Sequence, residues 1–245
     1  MKALSLLFLL VVFGTTSYAS GMAVEYQVDG TTYQGYYSSP SADAPLVLMI
    51  HDWDGLTDYE IKRTEMLNKL GYAVFAADMF GKGVRPTATD EKRKLTGSLY
   101  KDRAKMRSLL AGAVAAAKQQ GGNIANAVTI GYCFGGAVTL EHARSGAPMK
   151  GFVSFHGGLT TPEGQDYSQT KGNVLVLHGT ADKAVSMQDF ANLAVEMETA
   201  GISHEMITYS GAPHAFTVFG SERYRKDADE KSWQRFTEYL TETLK

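Results

Sequence analysis

GYCFGG, residues 131–136, holds the single cysteine of this 245-residue chain and surrounds it with glycine. An apolar run, AVTI, precedes it and GAVTLEHAR follows, so the stretch reads as a strand that turns abruptly into a helix. The corner residue of such a turn is held in a strained backbone conformation, and β-carbons two positions to either side would collide across it. Gly131 and Gly135 supply the clearance, and Cys133 then projects into the open at the carboxyl edge of a sheet. The unpaired N–H groups and positive dipole end of the helix favour a thiolate at that point. The competing reading is a buried cysteine acting as a small hydrophobe.

Working outward, short apolar runs rich in β-branched residues recur: LVLMIHD at 46–52, YAVFAAD at 72–78, AVTIGYC at 127–133, FVSFHGG at 152–158 and NVLVLHG at 173–179. Their hydrophobicity is continuous, as in strands buried on both faces of a parallel sheet. Between them lie stripes of helical period. Phe190, Leu193, Ala194 and Met197 follow Ser186 as N-cap and precede Gly201; Leu109, Leu110, Ala113, Val114 and Ala117 form a second stripe, and Trp233, Phe236 and Leu240 a third. With a hairpin expected over residues 24–37, the pattern predicts an α/β fold, a mostly parallel sheet with helices on both faces. Residues 80–100 are polar and contain glycine, and read as a loop or lid beside the site. No internal repeat or linker divides the chain, which predicts one domain over residues 20–245.

The first thirteen residues, MKALSLLFLLVVF, carry one lysine and then an apolar run too short to cross a bilayer comfortably, followed by the small-residue stretch TTSYAS. This predicts a signal peptide over residues 1–19 with cleavage after Ala19, and a secreted, periplasmic protein with no stable membrane partner. An uncleaved N-terminal anchor is the alternative. A formal charge of −2, from 24 basic and 26 acidic residues, gives no electrostatic reason to expect nucleic acid as a partner. A lone cysteine cannot form an internal disulfide, so Cys133 is free.

A nucleophile needs a base, and the base needs an orienting group. In a strand–elbow–helix architecture the partners follow the nucleophile as acid and then histidine. Asp182, just after the run NVLVLHG, is the acid so placed; a helix cap or surface carboxylate is its plain alternative. Asp78 also ends a strand but precedes the cysteine, so it ranks lower. Of the histidines downstream of Asp182, His204 opens the apparent strand HEMITY, whereas His214 lies beyond it in the loop SGAPHAF. His51, His142, His156, His178 and His204 form no HExxH or Cys/His cluster, so each reads as structural or solvated and no metal or other cofactor is expected. His51 and His178, near strand ends, are also candidates to line a pocket.

HDWDGL (51–56), GYCFGG, HGTAD (178–182) and PHAF (213–216) together resemble the dienelactone hydrolase family of α/β-hydrolases, from about residue 24 to the C-terminus. The resemblance implies an α/β-hydrolase fold with a sheet of about eight strands. It also implies a catalytic triad of Cys133, Asp182 and His214, with an oxyanion hole made by the backbone N–H groups of Trp53 and Phe134. Two positions depart from the family pattern. Asp52 stands where glutamate commonly helps to control the resting thiol's proton, and Val218 stands where some members carry a carboxylate-binding arginine. Arg85 and Arg93, from the 80–100 segment, are the candidates to replace that arginine in binding substrate.

The expected activity is hydrolysis of a small ester or lactone through an acyl-thioester on Cys133. The alternative from another class is a redox-sensing or ligand-binding protein using an exposed Cys133 on an inherited hydrolase fold. Sensing needs no triad, and the acid and histidine in the right order favour the enzyme.

Overall fold

Residues that are apolar at every position bury both faces of a strand only when helices cover both sides of the sheet. The computed structural model, which describes residues 21–244, is built in this way. The proposed signal peptide and its cleavage site lie outside the described residues.

In chain order the strands are β1 (Met22–Val28), β2 (Thr31–Ser38), β3 (Pro45–Ile50), β4 (Ala73–Ala77), β5 (Asn123–Tyr132), β6 (Gly151–Phe155), β7 (Asn173–Gly179) and β8 (His204–Tyr209). They form one eight-stranded sheet in the order β1-β2-β4-β3-β5-β6-β7-β8. β1 and β2 make the expected antiparallel hairpin, β2 joins β4 antiparallel, and β4, β3 and β5 to β8 are mutually parallel.

The helices are α1 (Asp58–Lys69), α2 (Thr89–Lys101), α3 (Arg103–Gln119), α4 (Phe134–Arg144), α5 (Met187–Thr199) and α6 (Lys226–Leu244). Alternate residues of each central strand serve opposite cores. Leu46, Leu48 and Ile50 pack with Leu109, Val138 and Leu193 from α3, α4 and α5. Val47 and Met49 pack with Leu67 of α1 and with Phe236 and Leu240 of α6. Ser186 caps α5 as expected, in a reciprocal capping box with Asp189.

One expectation is corrected. The polar segment 80–100 is not loop throughout: Thr89–Lys101 is the helix α2. Its buried stripe is only Thr96 and Leu99, and Gly97 stands between them, so periodicity and propensity both understate the helix. Asp90 and Glu91 in the first turn and Lys101 in the last complement its dipole.

The parallel register levels the carboxyl ends of the central strands: Ile50 pairs with Gly131, Tyr132 with Phe155, and Phe155 with Leu177. His51, Cys133, His156 and His178 therefore emerge along one edge, where open α/β sheets bind their ligands.

The glycines define where this packing has no slack. A β-carbon on Gly135 would lie 2.3 Å from the Ile50 carbonyl oxygen, and one on Gly131 would lie 2.0 Å from that of Gly135. Both neighbours are backbone, which cannot rotate away. Gly135→Ala is expected to lower unfolding stability by about 2–3 kcal/mol. Gly97→Ala, with nothing within 4 Å of the added atom, is expected to raise it by about 0.5–1 kcal/mol. Urea denaturation of the two variants checks both signs.

Candidate active site

β5 runs straight into α4 through Cys133, whose φ of 54° and ψ of −112° lie outside the ordinary regions for an L-residue. The corner is braced by the Cys133 N–H, which donates to the Phe155 carbonyl at 3.0 Å. The sulfur is thus carried to the strand edge by a backbone that only the flanking glycines permit. Half-buried, Cys133 is free of any disulfide.

From the loop after β8, His214 sets its Nε2 3.0 Å from Cys133 Sγ. Its Nδ1 lies 2.7 Å from Asp182 Oδ2. Asp182 is fixed in turn, because its Oδ1 accepts the Ala184 and Val185 N–H groups at 2.8 and 2.9 Å. Three residues separated by 49 and 32 positions in the chain are so joined in one hydrogen-bonded series.

Burial opposes a charge on His214, but the hydrogen bonds to Asp182 and Cys133 and the attraction of both groups outweigh it, and the ring's pKa rises to about 10. Burial likewise works against the Asp182 carboxylate, yet the bond and charge of His214 and the two amides hold it below the usual range. Ion-pair character is therefore built into the series.

The Phe134 N–H is the first of α4, and no carbonyl of its own helix reaches it. Neither it nor the Trp53 N–H has an acceptor among the described residues. The loop carrying Trp53 is held by His51, whose Nδ1 donates to the Asp52 carbonyl at 2.5 Å and whose Nε2 accepts the Met79 N–H at 3.0 Å. These bonds require a neutral ring, and burial lowers its pKa to about 4. His51 is structural, as are His142 against Thr129 and His178 against Val185 and Phe190. Asp78 has the role of a turn cap, accepting the Phe80 and Gly81 N–H groups.

Asp52 is buried and accepts the Asp54 N–H at 2.8 Å. Burial above all pushes its carboxyl up to about 6, with the His214 charge acting the other way. Behind it stands Glu60, fully buried, pushed up to about 8 by burial and by the nearby Asp52. Glu60 Oε2 accepts from the Thr57 N–H and hydroxyl, while Oε1 has no partner among the described residues. The sequence reading missed Glu60, although Thr57-x-x-Glu60 is the signature of a capping box, which the two residues form.

A cavity of about 340 Å³ is lined by Tyr100, Arg103, Ala137, Arg144, Leu159 and Val185 among others, of which Val185 bonds Asp182 through its N–H, while Cys133, Asp182 and His214 themselves are not in its lining. Tyr100 reaches it from the end of α2, its ring 5.5 Å from that of Phe134. Arg85 and Arg93, expected as substrate-binding residues, do not line this cavity. Arg85 donates to the Leu56 and Val84 carbonyls and pairs with Asp78, and Arg93 is exposed beside Asp90. The arginines at the cavity are Arg103, the first residue of α3, and Arg144, the last of α4, neither of which a motif marks.

Comparison with known proteins bears on the family and the fold. Residues 33–244 match the family described as the dienelactone hydrolase family. A candidate carboxymethylenebutenolidase of Escherichia coli K12 is 23% identical over 224 residues, 86% of this chain and 83% of that protein. One from Methylorubrum extorquens is 25% identical over 207 residues, 80% of this chain and 71% of that protein. The crystal structure of a dienelactone hydrolase-like promiscuous phosphotriesterase from metagenomic libraries superposes with a TM-score of 0.86 at 28% identity, covering 94% of this chain and all of that one.

The buried carboxyl of Glu60 carries a pH signature. Its pKa is raised from 4.5 to about 8, so the folded protein keeps a proton that the unfolded chain releases. The stability this contributes is complete below about pH 4.5 and is lost as pH rises through about 8. Glu60→Gln, which still accepts from Thr57, is expected to come nearest to wild type near pH 4 and to be more stable than wild type near pH 8. Urea midpoints at the two pH values check it.

Proposed function

The chain belongs to the dienelactone hydrolase family and is a carboxylic ester or lactone hydrolase; from that premise we propose that it cleaves small esters or lactones through an acyl-thioester on Cys133. The observation that carries this reading is the unbroken series Asp182–His214–Cys133, with contacts of 2.7 and 3.0 Å. A ring that holds its proton to about pH 10 is an imidazolium at neutral pH, the partner a thiolate needs. Asp52 bears on the same balance: ionised above about pH 6, it adds a second negative charge that favours the imidazolium.

The thiolate attacks the acyl carbon, forming the C–S bond while the carbonyl π pair moves to oxygen. The Trp53 and Phe134 N–H groups, aimed at no acceptor of their own, stabilise that oxyanion. Collapse breaks the C–O bond, and the leaving oxygen takes the Nε2 proton of His214, giving an alcohol and a thioester. With the sulfur no longer charged, one of the attractions that raised the His214 pKa is gone and the ring stays neutral. It next removes a proton from water, the hydroxide adds to the thioester, and collapse returns the thiolate, the imidazolium and a carboxylic acid. For a lactone, the alcohol and acid remain one ring-opened product. A cavity of about 340 Å³ suits a small acyl group.

Turnover of 4-nitrophenyl acetate tests the reading. Cys133→Ala and His214→Ala are expected to lose roughly a thousandfold or more in kcat, and Asp182→Asn somewhat less. Rapid acid quenching of wild type is expected to trap one acetyl group on Cys133, detected by mass spectrometry. Wild-type kcat/KM is expected to fall as pH passes about 10, where His214 gives up its proton. Hydrolysis that survives Cys133→Ala would sink the thioester route. An oxidised Cys133 with no turnover of any ester or lactone would favour the redox-sensing alternative.

A further inference from the structure

His156 takes no part in the steps above, yet it is fully buried beside the elbow and bonded through both ring nitrogens. It follows the last residue of β6 with a φ of 39°, in the left-handed region that L-residues avoid. Among the described residues, the non-glycine residues with positive φ are Asp29, Cys133, His156 and Ala215. All but the first lie at this site: the elbow, the residue behind it, and the residue after His214. Backbone strain of this kind persists only where surrounding contacts over-determine it.

The strained φ turns the His156 ring against the back of the elbow. There Nδ1 accepts the Cys133 N–H at 3.2 Å, a second acceptor for the amide that also bonds the Phe155 carbonyl. An acceptor at Nδ1 places the ring hydrogen on Nε2, which donates to Thr217 Oγ1 at 2.8 Å. Thr217 lies three residues after His214 in the same loop. The ring thus joins the nucleophile's backbone directly to the loop that carries its partner, and its centroid lies 5.6 Å from that of His214.

Beyond Thr217 the network is anchored. The Thr217 hydroxyl bonds the Tyr59 hydroxyl at 2.7 Å, and Arg63 donates to Tyr59 Oη at 3.2 Å and to the Thr217 carbonyl at 2.9 Å. Arg63 is itself buried and paired with Asp229 of α6. The neighbouring charges leave His156 in one state: it faces His214 and Asp182 on one side and Arg63, with Tyr59 and Tyr132, on the other. Burial, first, and the His214 charge keep it neutral, well below the usual histidine range.

We propose that His156 is a positioning residue, whose neutral ring bridges the Cys133 amide and the Thr217 hydroxyl and so sets the distance between the sulfur and His214. The proposal rests on the reading of Cys133 and His214 as the reacting pair. Removing the bridge leaves both groups present and unclamped, which loosens the contact of 3.0 Å between the sulfur and His214 Nε2.

Two measurements on the full chain test this. The rate of Cys133 alkylation by iodoacetamide against pH reports the thiolate whether or not an ester is turned over; kcat and KM for 4-nitrophenyl acetate report catalysis. Thr217→Val, close to isosteric, is expected to lower kcat about tenfold with KM within twofold, and to move the alkylation profile to higher pH. His156→Phe is expected to do the same more strongly, and His156→Asn, whose amide oxygen can accept the Cys133 N–H, to recover part of the loss. Tyr59→Phe, which removes the far contact of Thr217 and the Arg63 bond to the Tyr59 hydroxyl but leaves the His156 bridge in place, is expected to change either measure less than twofold.

Wild-type alkylation and kcat in a folded Thr217→Val protein overturn the proposal, as does a Tyr59→Phe loss as large as that of Thr217→Val. If His156→Phe does not fold, Thr217→Val decides. A wild-type protein that turns over no ester would count against the hydrolase reading alone, since the alkylation profiles would still separate the variants.

Discussion

Everything at the strand edge depends on one contact between two pieces of backbone, the start of α4 pressed against the end of β3 at Gly135. Only there does a missing β-carbon let a helix begin within reach of the Ile50 and His51 carbonyls. Because the helix starts so close, Cys133 takes a left-handed φ and the sulfur stands clear of the sheet. The same approach leaves the first amide of α4 next to it with no acceptor among the described residues. The exposed sulfur and the unpaired first amide of α4 are therefore consequences of a single packing constraint.

Around that corner the protein uses histidine in two opposite ways, and environment alone makes the difference. His214 has a carboxylate on one nitrogen and sulfur on the other, and these outweigh burial so that the ring holds its proton. His51 and His156 are buried with backbone or hydroxyl partners that need one bare nitrogen each, and burial keeps them neutral. The carboxyls divide in a similar way. Asp182 is held ionised by the groups that bond it, whereas at Asp52 and Glu60 the cost of burial outweighs their hydrogen bonds and they are pushed toward the protonated form. Pushing like groups apart in this fashion is how a site assigns acid and base roles at one pH.

Much of this was legible in the sequence where the signal is local. Continuous apolar runs marked the parallel strands, Ser186 and Gly201 bounded α5, and G-x-C-x-G marked the elbow. The order cysteine, aspartate, histidine singled out the residues that the fold brings within hydrogen-bonding distance. The strand ends were read up to three residues too long, since a polar residue just past an edge looks like part of the run. α2 is obscured because it buries only two side chains, and the sequence points to Arg85 and Arg93 and is silent on Arg103 because it places a residue near a loop without saying which way its side chain turns.

What the amino-acid order determined by itself was the set of local preferences: period, breakers, and a glycine at each place where the chain must pass too close for a side chain. Such preferences act between neighbours and need no knowledge of the rest of the chain. The network from His156 through Thr217 to Tyr59, Arg63 and Asp229 includes a bond between residues 166 positions apart, and it is shielded from water by the core on the α1 and α6 face of the sheet. Protonation, likewise, follows from burial and from which charges end up adjacent. Those are properties of the packed molecule, decided only when sheet, helices and loops close on one another.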